Sequence, residues 1–268
     1  MKITDIYNEA FYDAQAQGSY QSARNLLPYV NEIFAPKSVV DIGCGVGTWL
    51  KAWADINPHI QIAGVDGNEV DSQMYFIPSE CYKRVDLTQY YATLSKEITQ
   101  HFAKTGGGKP FDLAQSLEVA EHLDEGYADN FVALLTSLSN IILFSAAIPH
   151  QGGTHHVNCQ PPAYWAKKFA QYDFECYDIL RMKFWDNNAI ASWYRQNSLI
   201  FIHKSESLAN FTPTQNPAHL MHPNMWEHYI IGMETAEQEA QRWRKKYHKT
   251  LPKRLERMFK SLKAKIKG

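Results

Sequence analysis

Apolar residues change their spacing along the chain, and the changes mark the elements. Leu26, Leu27, Val30 and Phe34 fall at helical spacing and Pro36 ends the run, so residues 1–36 read as a helical lead-in. Ser38–Ile42 is a short β-branched strand followed by glycines at 43, 45 and 47. Trp49, Leu50, Trp53 and Ile56 then share one face of a helix over 48–56. Further strands are predicted at Gln61–Val65, just before Asp86, at Phe111–Ser116 and at Ile141–Ala146. A helix carrying Phe131, Leu134, Leu135 and Leu138 leads into the last of these. Beyond a polar, histidine-rich loop at 150–160, Pro161-Pro162 opens a helix through Phe169, since proline is tolerated in a first turn. Two more β-like runs follow, around Cys176–Phe184 and at Leu199–His203. Strands alternating with helices at this spacing predict an α/β fold with a mainly parallel, doubly wound sheet. The stretch 205–225, rich in Pro, Asn, Thr and His, reads as a linker, and helix resumes from Met225. The expected organisation is a lead-in over 1–36, a catalytic-type domain over 37–204, a linker and helix over 205–240, and a basic helix over 241–268.

Composition sharpens this picture mainly through charge. The 268 residues carry 27 Lys and Arg against 28 Asp and Glu, a formal net charge of −1. That balance is a cancellation, because residues 241–268 hold 12 of the bases and one acid, Glu256. From Trp243 the apolar residues fall at 243, 247, 251, 255, 259, 262 and 266, one helical stripe with Lys and Arg filling the rest. Such a helix can lie on an anionic membrane surface, each nearby base adding about 1 kcal/mol of attraction, or dock a biosynthetic complex. The alternative is packing on the acidic body or on a second subunit. Nucleic acid is disfavoured, because the body has the wrong sign. Apolar stretches such as Ile141–Ile148 are too short to cross a bilayer, and the N-terminus has no secretory apolar region. The four cysteines lack metal-type spacing. A cytoplasmic protein, peripheral on the inner membrane if the tail docks there, is the expectation.

The segment Val39-Val40-Asp41-Ile42-Gly43-Cys44-Gly45-Val46-Gly47 carries the sharpest chemical signal. Glycines after a strand let the backbone turn tightly and approach a ligand, and the next helix points free N–H groups at it. A dinucleotide loop would read GxGxxG; this one reads GxGxG with an acid, Asp41, inside the strand end. A carboxylate there suits a cationic or amino-bearing ligand better than a pyrophosphate. Asp66 ends the second strand 19 residues beyond Gly47, the spacing that sets a carboxylate over ribose hydroxyls. Asp86 follows the third strand and can accept from an adenine amino group.

The series DIGCGVG, GVDG, VDL and FDLAQSLEVAEHL resembles the motifs of class I S-adenosylmethionine-dependent methyltransferases, over roughly Ser38–Pro149. The resemblance implies a Rossmann-like, seven-stranded, mostly parallel sheet with a reversed last strand, the cofactor lying over the strand ends. It implies that Asp41, Gly43, Gly45 and Gly47 line the methionine end, that Asp66 holds the ribose, and that Asp86 and Leu87 meet the adenine. Ser116, Leu117 and Glu118 would then face the methyl-transfer cleft. The later GGTHHVN and QPPAYW segments are similar to methyltransferases of bacterial sugar and surface-polysaccharide biosynthesis.

Methyl transfer to an alcohol needs the nucleophile held near the methyl group and its proton removed. His155 or His156 is the expected base, histidine being suited to this near neutral pH. If 117–123 is helical, Glu118 and His122 lie at i and i+4 and reach the same point. Glu121, His150, Asn158, Gln160 and Tyr164 are the expected acceptor contacts, whereas Trp165 reads as helix packing. Some sugar methyltransferases use a divalent cation, but His150-x4-His155-His156 is no known ligand pattern, so no metal ligands are assigned. The expected activity is O-methylation of a small molecule or glycan precursor. Rivals are small-molecule N-methylation, a non-catalytic nucleotide-binding scaffold and a nicotinamide oxidoreductase; the GxGxG loop with Asp41 argues against the last.

Overall fold

The computed structural model describes residues 9–68, 72–102, 108–206 and 208–226, and parts of 229–247. The chain falls into two compact units, one up to Met225 and one from Trp226. In the first, helix α1 (Glu9–Phe34) precedes strand β1 (Ser38–Ile42), helix α2 (Thr48–Ile56) and strand β2 (Gln61–Asp66). Strand β3 (Tyr82–Arg84), helix α3 (Tyr91–Phe102), strand β4 (Leu113–Leu117), helix α4 (Ala128–Leu138) and strand β5 (Ile141–Ser145) follow. Helix α5 (Pro162–Ala170), strand β6 (Phe174–Tyr177), helices α6 (Arg181–Phe184) and α7 (Ser192–Asn197) and strand β7 (Leu199–His203) complete it. The strands form one seven-stranded sheet in the order β3-β2-β1-β4-β5-β7-β6. β7 runs antiparallel to both neighbours, and the other pairings are parallel.

Helices cover both faces, so the central strands must be apolar on both sides, and their period-2 alternation sorts the core into two layers. Val40, Ile42, Ala114, Ile142, Phe144, Leu199 and Phe201 pack under α3, α4 and α5. Val39, Leu113, Leu117, Leu143, Ile200 and Ile202 face the other way, with Trp49, Leu50 and Trp53 of α2 and Leu26, Leu27 and Val30 of α1. The lead-in helix is therefore part of this domain's core.

Four expectations change. The run at 176–184 is strand only to Tyr177, because Arg181 Nε and Nη2 donate to the two Asp178 oxygens (2.8 and 2.5 Å) and the chain turns into α6. The stretch 205–225 is held to the body rather than linking: Thr214 bridges Cys176, and buried Arg181 donates to the Ala218 carbonyl at 2.7 Å. Residues 118–122 are no α-helix: Glu118 has φ 56°, and only Ala120–His122 form a 3-10 turn, so Glu118 and His122 do not share a helical face. Helices α3 and α7 were not predicted at all. In the second unit residues 240–247 are helical, with Trp243 and Tyr247 exposed; the helix expected beyond Pro252 lies outside the described residues. No helix among the described residues is long and apolar enough to cross a membrane.

Candidate functional site

The carboxyl ends of β1, β2 and β4 converge on the glycine loop. Gly43, Gly45 and Gly47 have φ of 84°, 54° and 83°, the left-handed region that favours glycine. The chain thus turns off β1 with Gly43 N–H donating to the Val65 carbonyl at 2.7 Å. Gly43 and Gly47 also lack room, since an added Cβ would lie 2.4 Å from Val119 Cγ2 or 2.8 Å from Ile77 Cγ1. Gly45 differs: a Cβ there meets nothing within 4 Å, so its face looks into open space. Asp66 fixes the loop, accepting Gly45 N–H on one oxygen and Asn68 N–H on the other, both at 2.8 Å. Burial raises the Asp66 carboxyl above its ordinary range.

Beside this loop lies a cleft lined by Ser19, Asp41, Gly45, Trp49, Glu118 and Tyr194, with Leu117 and others between them. Asp41 is buried and receives one side-chain donor, Gln115 Nε2 at 2.9 Å, itself oriented by Trp53 Nε1 at 2.9 Å. Burial pushes the Asp41 carboxyl up to about 7, against the Gln115 bond and with the charge of Asp66. The cleft wall was only partly legible in sequence. Ser19 reaches it from α1, bonded to Thr48 Oγ1 at 2.9 Å, and Tyr194 from α7, packed edge-on against Trp49 at 4.9 Å. Nothing in local spacing marks residues so distant from the loop.

The remaining cofactor candidates take varied places. Leu117 lines the cleft, whereas the Ser116 hydroxyl is buried and donates to the Ile42 carbonyl at 2.7 Å, tying β4 to β1. Leu87 is buried, and the Asp86 carboxylate caps its own turn by accepting the N–H and hydroxyl of Thr88, which hold it below the usual carboxylate range.

Past β4, the chain sets two acids in different surroundings. Glu118 N–H donates to Ser145 at the end of β5, and Glu118 accepts from Asn197 Nδ2 (3.0 Å) and Gln151 Nε2 (3.0 Å). Glu121 is fully buried, and among the described residues no donor meets either carboxylate oxygen at hydrogen-bond geometry. Burial and the nearby Glu118 charge push its carboxyl well up. The histidine-rich loop is pinned over it, Val157 and Asn158 N–H both donating to the Glu121 carbonyl (2.8 and 3.0 Å). That pinning stacks the His156 ring edge-on to His122, 4.8 Å between centroids. Burial and the neighbouring imidazole lower His156 to about 4, and burial lowers His122 despite a hydrogen bond to the His155 backbone.

The other loop candidates stand apart from this cluster. His150 and His155 are exposed, both with left-handed φ (69° and 57°). Asn158 and Gln160 bond to each other at 3.0 Å, and the Asn158 amide reaches the Ala120 carbonyl at 3.5 Å. Tyr164 packs at the edge of the α3–α5 layer, its hydroxyl 3.4 Å from Glu125 and Lys168 over its ring. The sequence missed Gln151 and Asn197, which hold Glu118 through contacts 33 and 79 residues away along the chain.

A family profile described as Methyltransferase domain matches residues 12–199. Among solved structures, the methyltransferase domain of a bacterial Hen1, CtHen1-C, is similar at 16% identity and TM-score 0.48, over 69% of this chain and 98% of that one. An O-methyltransferase family protein from Burkholderia thailandensis is 14% identical, TM-score 0.49, over 74% and 61%. The plantazolicin methyltransferase BpumL, solved with a substrate analog and SAH, is 16% identical, TM-score 0.45, over 73% and 88%. No curated protein matches the chain.

Proposed function

Because the chain belongs to the methyltransferase-domain family, we propose that it moves the methyl group of S-adenosylmethionine to a hydroxyl oxygen on a sugar, nucleotide-sugar or surface-polysaccharide precursor. The observation that carries this reading is the pair of buried carboxylates, Asp41 and Asp66, flanking a loop of three left-handed glycines. S-adenosylmethionine supplies a methyl carbon activated by its sulfonium charge. The fit to this chain's residues is specific. Gly45 presents bare backbone toward open space, and Asp41 offers the cleft a carboxylate with one side-chain donor, ready for a cation. Asp66 stands buried at the end of β2 and is tied to the loop through Gly45 N–H, which sets its carboxylate where ribose hydroxyls are expected.

On the acceptor side, Glu118 lines the cleft with its carboxylate aimed by Asn197 and Gln151, placed to orient a hydroxyl. Held by Asp41, Asp66 and the glycine loop, the cofactor would supply that carbon and keep the C–S electron pair as a neutral thioether. The hydroxyl proton passes to a histidine of the 150–156 loop, and exposed His155 is the residue we assign.

Calorimetric titration with S-adenosylmethionine, followed by mass spectrometry of S-adenosylhomocysteine and methylated product over sugar and nucleotide-sugar acceptors, tests the reading. Cofactor binding lost in Asp41→Asn and Asp66→Ala, with methyl found on oxygen, is the expected result. Cofactor binding unaffected by both changes overturns it, and preferential turnover of amine acceptors overturns the hydroxyl assignment.

A further inference from the structure

Two features past β4 are left unexplained by the cofactor cleft. Glu121 buries a carboxylate that, among the described residues, no donor meets at hydrogen-bond geometry, and two imidazoles approach it from a 3-10 turn and from a loop pinned to its own carbonyl. A buried carboxyl that no donor meets must either hold its own proton or be compensated by a cation. One donor atom from each of Glu121, His122 and His156 lies within 4.8 Å of the other two. Three such points have a common centre at most about 2.8 Å from each, against about 2.0–2.2 Å for bound zinc, so a side-chain shift of under about 1 Å closes the gap.

We propose that Glu121, His122 and His156 bind one divalent cation of the zinc, cobalt or manganese kind, placed to hold an acceptor hydroxyl beside the cofactor cleft. One carboxylate and two imidazoles form a donor set of intermediate softness, which selects these ions over calcium or magnesium. Three protein donors leave coordination positions open, the arrangement of sites that bind a substrate oxygen. Glu118 is not a ligand, because its oxygens are held by Asn197 and Gln151.

The surroundings support each ligand. His122 is fixed on the 3-10 turn Ala120–His122, its N–H donating to the Val119 carbonyl at 3.0 Å. Cys159 Sγ lies 3.7 Å from His156 Nδ1 and steadies that ring. Gly153 makes room for it, since an added Cβ would fall 2.2 Å from the imidazole. The cluster adjoins the glycine loop through Val119, which fills the space over Gly43. The site itself stands on this geometry alone; its role with an acceptor hydroxyl rests on the function proposed above.

The test uses the full chain, stripped with a chelator and titrated with Co²⁺ alone. The expected result is one ion per chain, visible absorption from the bound ion, and its displacement by Zn²⁺. Glu121→Gln, His122→Gln and His156→Ala should each weaken Co²⁺ at least tenfold, while His59→Ala, an exposed histidine far along the sequence, should bind like the parent. No Co²⁺ binding, or binding unchanged in His156→Ala, overturns the proposal. His156 is only half-buried, so its variant decides the matter if Glu121→Gln fails to fold. S-adenosylmethionine titrated into the metal-free chain separates the two readings. Cofactor binding without Co²⁺ binding sinks the cation site alone, and Co²⁺ binding without cofactor binding sinks the cofactor reading while leaving the site.

Discussion

Asp41 offers a test in which one substitution should strengthen the fold and disable the site. Its carboxyl rises from an ordinary 3.8 to about 7, chiefly because it is buried. That difference corresponds to a penalty of about 4 kcal/mol on the ionised folded state. Between these values the folded chain binds a proton that the unfolded chain has lost, so this group's contribution is complete below pH 4 and is lost as pH rises to 7. Asparagine keeps the shape and still accepts from Gln115, but it never ionises. Asp41→Asn should therefore be more stable than the parent by up to about 4 kcal/mol at pH 8, the gain shrinking to about 1 kcal/mol at pH 4.5. Urea unfolding of both proteins at the two pH values measures this. Other titrating groups are shared and cancel in the difference, provided the m-values agree. A pH-independent difference, or a less stable variant at pH 8, would refute the assignment of a raised carboxyl at this position.

Other perturbations separate folding from chemistry. Gly43→Ala should lose at least about 2 kcal/mol in the same unfolding assay, from left-handed strain and the Val119 clash together. Gly45→Ala carries only the strain, about 1 kcal/mol, yet should weaken the cofactor at least tenfold by calorimetry, because its Cβ enters the open space. Gly153→Ala should displace His156 and lower kcat while the cofactor dissociation constant stays put. Deleting 241–268 should abolish binding to anionic vesicles and leave turnover on a dissolved acceptor unchanged; lost turnover would make that segment part of the fold.

What could be read from sequence was local. The glycine loop and Asp66 announce themselves because the turn off β1 and the end of β2 are fixed by neighbours in the chain. The strands were legible as short continuous apolar runs wherever both faces are buried, as in Ile141–Ser145 and Leu199–His203. Where a polar contact overrides periodicity the reading failed. Arg181 looked like one position of an extended run until Asp178, three residues earlier, wrapped the backbone around it. Glu118 lost its helical relation to His122 because both Ser145 oxygens take its N–H at the end of β5, a contact 27 residues away. Helix α3 is too polar to show, with only Leu94 and Ile98 buried. Glu121 read as an acceptor contact; only the fold shows it fully buried beside two imidazoles.

Ser19 makes the first helix a part of the ligand site. Its hydroxyl touches Thr48 and lies 3.4 Å from the Tyr194 hydroxyl, so one turn of α1 is joined to the cleft wall from both sides. Any ligand that seats against Ser19 must favour the docked helix over the detached one, by the same free energy with which docking favours the ligand. Amide exchange and protease cutting within 17–34 then become a gauge of occupancy, read on the helix rather than at the reacting groups.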